Sequence, residues 1–304
     1  GAVVDVPDDP TAAPGPIVSK ADVYTRINQL LDQAKTDLAA AGGSFSFPLG
    51  TGFAGFSTPA TFLTFNRGLR ARSAVYMDDF AGALTALQES FVSTNGSLTN
   101  GVYHVFGTGS GDVTNLLFDP NGDQRLMANP NLIAEAQLRA DQTPDLRAVQ
   151  KIRNTIRAGG FTGGGITSDK QFSLYSSITT PVPIMRNEEL ILLRAEANLG
   201  LGHLAEALTD INQIRRTSGG LADYTGPVTA AALLDELLYN KRYSLLFEGG
   251  FSWYDYRHYN KLTTLDRALA DGKFFTKMPF PRNECLARPD GGLSLPGCNV
   301  EVGM

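Results

Sequence analysis

The feature of the sequence that most constrains the fold is a pair of alanine-spaced segments that occurs twice. Ala71 and Ala83 are twelve residues apart, and Ala195 and Ala207 repeat that spacing 124 residues later. In each copy a short turn separates the two alanines. Small residues in such positions allow two antiparallel helices to approach closely, so each copy predicts one helical hairpin.

Large apolar residues follow the same repeat. Phe80 matches Leu204, and Leu84 matches Leu208. This order of small, turn, large apolar and small residues is typical of tetratricopeptide repeats. The sequence therefore predicts a mainly α fold built from tetratricopeptide-like helical hairpins, with long loops and minor β structure.

Helices are predicted from apolar periodicity and from residues that favour helix starts. They cover residues 19–41, 58–77, 80–92, 229–247 and 251–260. The second of these begins with Thr58 and Pro59, a capping residue followed by a proline in the first helical position.

The chain is predicted to form one domain with five regions. These are an extended N-terminal arm (1–18), a helical hairpin region (19–94), a loop-rich insertion with short strands (95–180), a second hairpin region (181–271) and an irregular tail (272–304). Within the insertion, residues 103–106 and 171–175 alternate as short strands do, and the Gly-rich run at 159–165 is typical of a flexible loop. Long loops on a rigid scaffold are where binding sites usually lie.

Composition argues against a nucleic-acid partner and against a membrane-spanning helix. The chain of 304 residues has a net charge of −5 and lacks the clusters of Lys and Arg that phosphate binding needs. It also lacks an apolar run of the roughly 18 residues needed to span a bilayer.

Cys285 and Cys298 lie close together in the tail, and we predict that they form a disulfide. Such a bond indicates an oxidising, extracytoplasmic compartment.

Motifs for catalysis or for a cofactor are absent from the sequence. His104, His203 and His258 fall in three separate elements without the spacing of a metal site. The sequence has neither a G-x-S-x-G elbow nor a phosphate-binding G-x-x-x-x-G-K loop. Asp119 to Asp123 begins like a calcium-binding loop but departs from the EF-hand pattern, which leaves only a looser calcium site open. We therefore expect a protein that is not an enzyme, with no catalytic residue and no cofactor.

Aromatic residues in loops are the candidate ligand-binding residues: Phe45, Phe47, Phe53, Phe56, Tyr103, Phe106 and Tyr175. Sugar rings present apolar faces that stack on aromatic side chains, and such sites need no catalytic pKa. The alternative is that the four loop phenylalanines before residue 57 form local core and that the other three residues pack within strands. Trp253, the sole tryptophan, is expected to pack against the helical scaffold.

Several segments together resemble the SusD/RagB family of nutrient-binding lipoproteins. The strongest are residues 183–197 (PIMRNEELILLRAEA) and 247–257 (FEGGFSWYDYR). Weaker ones occur in the family's order: D-x-R at 145–147, a short strand at 171–175, N-x-x-R at 212–215 and P-x-P-x-x-E at 279–284. The resemblance covers residues 24–284, and Asn240 and Ser244 stand where the family pattern has glutamates.

The resemblance implies a non-catalytic function at the bacterial cell surface. Members of the family capture nutrients at the outer membrane and pass them to a TonB-dependent, SusC-like transporter. For this chain the resemblance implies a glycan ligand in preference to an oligopeptide. Family members begin with a signal peptide, an acylated cysteine and a further helical hairpin, so we expect this chain to lack the family's N-terminal part.

Two other functions are open as hypotheses. The repeat surfaces would suit a self-assembling scaffold protein, with the segment at 1–16 docking on a neighbouring copy. A hydrolase is disfavoured, because the adjacent acidic pairs Asp78-Asp79 and Glu188-Glu189 are predicted to point to different helix faces and so do not flank one glycosidic bond.

Overall fold

The structure is a computed structural model that describes residues 2–4, 8–9, 11–12, 15–123, 126–163, 165–265, 274–278 and 280–287. Within these residues the chain is mainly helical with short strands, which confirms the predicted fold class. The chain divides into two compact units. The larger comprises residues 31–272, and the smaller comprises residues 1–30 and 273–304.

The helices and strands are numbered in chain order. They are β1 (Ala2–Val3), β2 (Ile17–Val18), α1 (Lys20–Ala40), α2 (Pro59–Val75), α3 (Phe80–Gln88), β3 (Gly101–His104), α4 (Leu146–Lys151), β4 (Ile152–Asn154), β5 (Phe161–Gly163), β6 (Ile166–Ser168), β7 (Lys170–Phe172), β8 (Val182–Arg186), α5 (Asn187–Gly200), α6 (Leu204–Ile214), α7 (Ala230–Ser244), α8 (Phe251–His258) and α9 (Arg282–Leu286). A π-helical turn, Arg215–Gly219, follows α6.

The smaller unit contains the two ends of the chain. β1 pairs antiparallel with β2, so the ends of the predicted arm at 1–18 lie side by side. α1 begins after Ser19, whose hydroxyl accepts a hydrogen bond from the Asp22 amide at 3.2 Å. α9 lies in the predicted irregular tail and buries Cys285. Cys298 lies outside the described residues, so the disulfide stays a prediction.

The first predicted hairpin is formed by α2 and α3. Thr58 caps α2, because its hydroxyl accepts a hydrogen bond from the Thr61 amide at 3.2 Å, and Pro59 occupies the first helical position. Ala71 and Ala83 are fully buried in the core that these helices share. The small side chains thus lie where the repeat spacing predicts them.

The second predicted hairpin is formed by α5 and α6, and α7 packs against both helices. Ala195 and Ala207 are fully buried, as their counterparts are in the first hairpin. α5 supplies core residues on both sides: Leu190 packs in the cluster with α2 and α3, and Ile191 packs in the cluster with α6 and α7. A helix that is buried on all sides is typical of the centre of a domain.

A short antiparallel ladder joins the loop-rich insertion to the second hairpin. β3 pairs with β8, with a register shift between Val102 and Tyr103. The sequence predicts a strand at 103–106 and none at 182–186, because pairing partners so far apart leave no local pattern. Gly68 of α2 permits close packing beside this ladder, since a Cβ there would lie 2.6 Å from the Met185 sulfur.

Two more ladders lie in the insertion, β4 with β7 and β5 with β6. The strand predicted at 171–175 is observed as β7, which begins one residue earlier and ends three residues earlier. The Gly-rich run at 159–165 is predicted as a flexible loop, but most of it belongs to the β5–β6 hairpin. Glycine suits this position because Gly165 in the turn has a φ of 81°.

Candidate functional site

A cavity of about 390 Å³ lies within the larger unit, between the insertion and the second hairpin. Its walls come from β3, α4, the segment at 174–183 and the π-helical turn after α6. Its volume falls in the range of small-molecule sites, about 300–1,000 Å³. Apolar side chains form much of the wall, including Leu98, Leu174 and Pro183.

Two of the predicted ligand-binding residues, Tyr103 and Tyr175, come together in this wall. The Tyr103 hydroxyl donates to the carbonyl of Thr99, and the Tyr175 hydroxyl donates to the carbonyl of Phe247 at 2.9 Å. Burial raises the pKa of both phenols, which therefore stay protonated at neutral pH. Since the hydroxyls are already hydrogen-bonded, the half-buried Tyr103 offers mainly apolar ring surface to the cavity, whereas Tyr175 is only 5% exposed and mainly supports the wall.

The floor of the cavity is an ion-pair cluster centred on Arg186. This guanidinium donates to both carboxylate oxygens of Glu248, at 2.8 and 2.9 Å, and to one oxygen of Glu188. Lys151 also donates to Glu248, at 2.8 Å. The side chains of Arg186, Glu188 and Glu248 are each 8% exposed or less. These buried and paired side chains therefore form the charged part of the cavity lining.

The cluster favours the charged forms of Arg186 and Glu188, whereas burial lowers the pKa of Lys151. Burial by itself raises the pKa of Glu188, but Arg186 and the neighbouring Ser218 and Ser244 hydroxyls outweigh it and lower that pKa to about 2. Burial also works against the charge of Arg186, yet the two glutamates raise its pKa. Oε1 of Glu188 is buried without a well-formed hydrogen bond, although both hydroxyls lie near.

A second buried cluster is centred on Arg147, which itself lines the cavity. Its Nε donates to Asp145 at 3.0 Å, and its Nη1 donates to Asn240 Oδ1 at 3.0 Å and to Ser244 Oγ at 2.9 Å. Asn240 and Ser244 are the residues that stand in place of the family's glutamates. They still accept hydrogen bonds from the arginine, so the cluster persists with one carboxylate and two neutral acceptors.

Phe53 and Phe56 do not belong to the cavity. Phe56 is 3% exposed and packs edge-on against Phe91, with ring centroids 4.8 Å apart. Its prediction as a ligand-binding residue is corrected, because a side chain enclosed by core atoms has no face to offer. Phe53 is half-buried and stacks on Phe62 at 5.7 Å. Both residues fit the alternative of local core.

Phe45 and Phe47 form a stacked pair at the surface, with ring centroids 5.4 Å apart. Phe47 is 57% exposed, whereas Phe45 is half-buried and meets Phe62 edge-on at 5.8 Å. Phe106 is half-buried and does not line the cavity. The seven predicted residues therefore do not converge on one site, and only the two tyrosines share the cavity.

The remaining candidate groups are packed against neighbours. Arg257 lies over the Trp253 ring, 4.3 Å from its centroid, so the indole has a covered face, in line with the expected packing role.

The described residues contain no group of three or more His, Cys, Asp or Glu side chains that could hold a metal ion. None of the helices within the described residues combines the length and the apolarity needed to cross a bilayer.

The charged floor of the cavity was not predicted from sequence. Arg186, Glu188 and Glu248 lie within the two strongest segments of the resemblance, but their types alone suggest exposed positions. Their pairing joins residues 62 positions apart. The signal that could have indicated buried ion pairs is the density of charge inside an otherwise apolar segment, residues 183–197.

Comparison with known proteins decides the family. The sequence model of the SusD family matches residues 82–278, which is more than half of the chain. The chain belongs to the SusD family. A search of curated protein sequences gave no match.

Solved structures of SusD-like proteins share the fold at low sequence identity. A SusD superfamily protein from Bacteroides vulgatus matches with a TM-score of 0.62 and 17% identity, over 95% of this chain and 71% of that one. NanU from B. fragilis gives 0.59 and 16%, over 88% and 68%. A SusD-like carbohydrate binding protein from B. fragilis gives 0.56 and 16%, over 80% and 59%. This chain is thus shorter than its structural relatives.

Proposed function

We propose that this SusD-family chain is a non-enzymatic binding protein that captures a glycan at the bacterial outer-membrane surface, for import through a TonB-dependent, SusC-like transporter. The observation that carries the proposal is the cavity itself. It has two tyrosine rings in its wall and a charged floor in which the cations and the carboxylates pair with one another. The name of one structural relative, a SusD-like carbohydrate binding protein, supports the same class of ligand.

A glycan suits the cavity better than an oligopeptide does. Peptide termini and many peptide side chains carry charge, and a charged ligand gains most from an unpaired opposite charge. Arg147, Lys151 and Arg186 each bond to a carboxylate already. Apolar walls with aromatic faces fit the apolar faces of sugar rings.

The protonation and hydrogen bonding of the carboxylates favour binding without hydrolysis. A glycosidase needs one protonated carboxyl with a raised pKa beside a second carboxylate. In this cavity the pKa of Glu188 is lowered to about 2, and Glu248 accepts hydrogen bonds from Arg186 and Lys151. Neither group is arranged to give a proton to a glycosidic oxygen.

Phe47 is a second proposed point of contact. Its exposed ring offers stacking surface outside the cavity. The turn that carries Gly52 packs closely against the Tyr103 carbonyl, so the phenylalanine-rich segment lies beside β3. A long glycan held at the cavity would therefore pass near this segment.

The proposal is tested on a glycan array and an oligopeptide array with the purified chain. Binding to one glycan class without turnover of that glycan is the expected result. Binding to peptides alone, or release of shorter sugars from a bound polysaccharide, would overturn the proposal. Light scattering of the same sample distinguishes a discrete binding protein from an ordered self-assembling scaffold.

A further inference from the structure

We propose that Phe247 is a positioning residue for the cavity, because its backbone conformation holds two groups of the lining, Tyr175 and Glu248, in place. A ring stack with Phe172 keeps Phe247 in that conformation. The inference deepens the proposed function, and its binding test rests on that function. A second test measures the cavity lining itself and needs no ligand.

Phe247 has a backbone conformation that is unusual for a large side chain. It lies in the turn after α7 and has a φ of 62°. This left-handed region is unfavourable for residues with a Cβ, and a bulky residue there is an outlier. Such strain persists only where the surrounding structure holds it. The neighbours of Phe247 must therefore provide contacts that offset the strain.

Two contacts with the loop-rich insertion hold Phe247. Its ring stacks on Phe172 of β7, with ring centroids 4.0 Å apart and an interplanar angle of 6°. Its carbonyl accepts a hydrogen bond from the Tyr175 hydroxyl at 2.9 Å. If φ returned to a negative value, the ring and the carbonyl would both rotate relative to the end of α7. The stack and the support of Tyr175 would then be lost together.

The residue after Phe247 belongs to the charged part of the lining. Glu248 accepts hydrogen bonds from Arg186 at 2.8 and 2.9 Å and from Lys151 at 2.8 Å. Because the φ of Phe247 sets the direction of the chain that follows, a change there would withdraw the Glu248 carboxylate from both cations. A buried ammonium that loses its carboxylate is unfavourable, so Lys151 would then turn towards water.

Acetylation of lysines, followed by peptide mass spectrometry, measures this lining without a ligand. The Lys151 side chain is 11% exposed and pairs with Glu248, so it should react slowly in the wild type. Lys241 is the control within the same chain, because its side chain is 1% exposed and pairs with Glu196 and Asp255. General loosening of the fold would expose both lysines, whereas release of Glu248 would expose Lys151 alone.

Alanine and glycine variants separate the backbone of Phe247 from its ring. Both substitutions remove the stack, but only glycine adopts a positive φ readily. We expect Lys151 to be acetylated about five- to thirtyfold faster in Phe247→Ala than in Phe247→Gly, with Lys241 equally slow in both. The matched control is Phe53, a half-buried, stacked phenylalanine without a positive φ. Phe53→Ala and Phe53→Gly should leave Lys151 as slow as it is in the wild type.

Phe172→Ala removes the same stack without a change in the turn. Lys151 should react faster in this variant than in the wild type, and the double variant with Phe247→Gly should be slower again, because glycine removes the strain that the stack had offset. If Phe247→Ala does not fold, this pair carries the test. Equal Lys151 rates in the alanine and glycine variants, or rates that rise for Lys151 and Lys241 together in folded variants, overturn the inference.

The binding test uses hexasaccharides of glucan, mannan, xylan and galactan type. For a sugar that the wild type binds, Phe247→Ala should bind at least about fivefold more weakly than Phe247→Gly does. Equal binding by the two variants, together with different Lys151 rates, would mean that the sugar does not use this lining, and the positioning role would be overturned while glycan binding stands. If the wild type binds no glycan, the proposed function fails, and the acetylation rates still decide whether Phe247 positions the lining.

Discussion

Arg147 illustrates how strongly a buried residue depends on its partners. Its side chain is 2% exposed and its partner Asp145 is fully buried. Asn240 and Ser244 complete its hydrogen bonds, although a family pattern would place glutamates there. The chain thus keeps one buried carboxylate for one buried arginine, and a neutral pair of this kind avoids a surplus of buried negative charge.

The first prediction is that Arg147→Met lowers the free energy of unfolding by about 3–5 kcal/mol, because it leaves Asp145 buried without its cation. The control is Arg216→Met, which breaks the exposed ion pair with Asp223. Exposed pairs contribute about 0–1 kcal/mol, so this variant should lose little. Urea denaturation monitored by circular dichroism compares them, and similar losses for both variants would contradict the expected difference.

A second residue-scale feature is the buried carboxylate of Asp255. It accepts a hydrogen bond from Lys241 at 2.7 Å, and Lys241 also donates to Glu196 at 2.7 Å. Burial is the main cause that raises the pKa of Asp255 to about 6, and Glu196 adds to it against the opposing effect of Lys241. Two carboxylates therefore share one buried ammonium.

We predict that this group stabilises the fold as the pH falls. The folded pKa lies above the ordinary value of 3.8, so the folded state binds the proton more tightly than the unfolded state. The contribution is absent well above pH 6, grows as the pH falls through 6, and is complete below about pH 4. Relative to wild type, the Asp255→Asn variant should lose stability between pH 7 and pH 4. Urea midpoints across that range test this, and a constant difference would refute it.

At the scale of elements, local sequence patterns predicted the helices well. The sequence did not predict the pairing of strands that lie far apart in the chain. The start of α2 at Thr58 and Pro59 and the buried alanines of both hairpins follow from neighbouring residues, which the sequence displays directly. β8 was missed because its partner β3 lies about eighty residues earlier. In the site, aromatic residues in predicted loops and strands led us to Tyr103 and Tyr175, which line the cavity. Phe56 is also an aromatic residue in a predicted loop, but it is buried in the core.

The repeat also makes a prediction about packing. Ala83 and Ala207 are fully buried in their hairpins, whereas Ala81 and Ala205, two residues earlier in each helix, are exposed. Ala83→Leu and Ala207→Leu should each cost about 1–3 kcal/mol through overpacking. Ala81→Leu and Ala205→Leu should change stability by about 0.5 kcal/mol or less. Thermal or urea unfolding of the four variants measures this, and equal effects within a hairpin would argue against close helix packing there.

At the scale of the whole molecule, the charges are largely matched inside the larger unit. Besides the Arg186 and Arg147 clusters, Arg215 bonds to Glu236 and Arg72 bonds to Glu189, and the carboxylates of both pairs are buried. Because these pairs are internal, the net charge of −5 acts mainly from the surface. The interior can then present a polar but neutral face to a ligand.

This matching leads to a prediction about salt. Screening at high ionic strength weakens attraction between exposed charges, but it acts little on charges that are buried and paired, or on a neutral ligand. We expect the affinity for a bound neutral oligosaccharide to change by less than about twofold between about 50 and 500 mM NaCl. Calorimetric titrations at both salt concentrations measure this, with unfolding at the same concentrations as a control for the protein itself. A several-fold loss of affinity at high salt would mean that exposed charges hold the ligand, and the neutral cavity would then no longer account for binding.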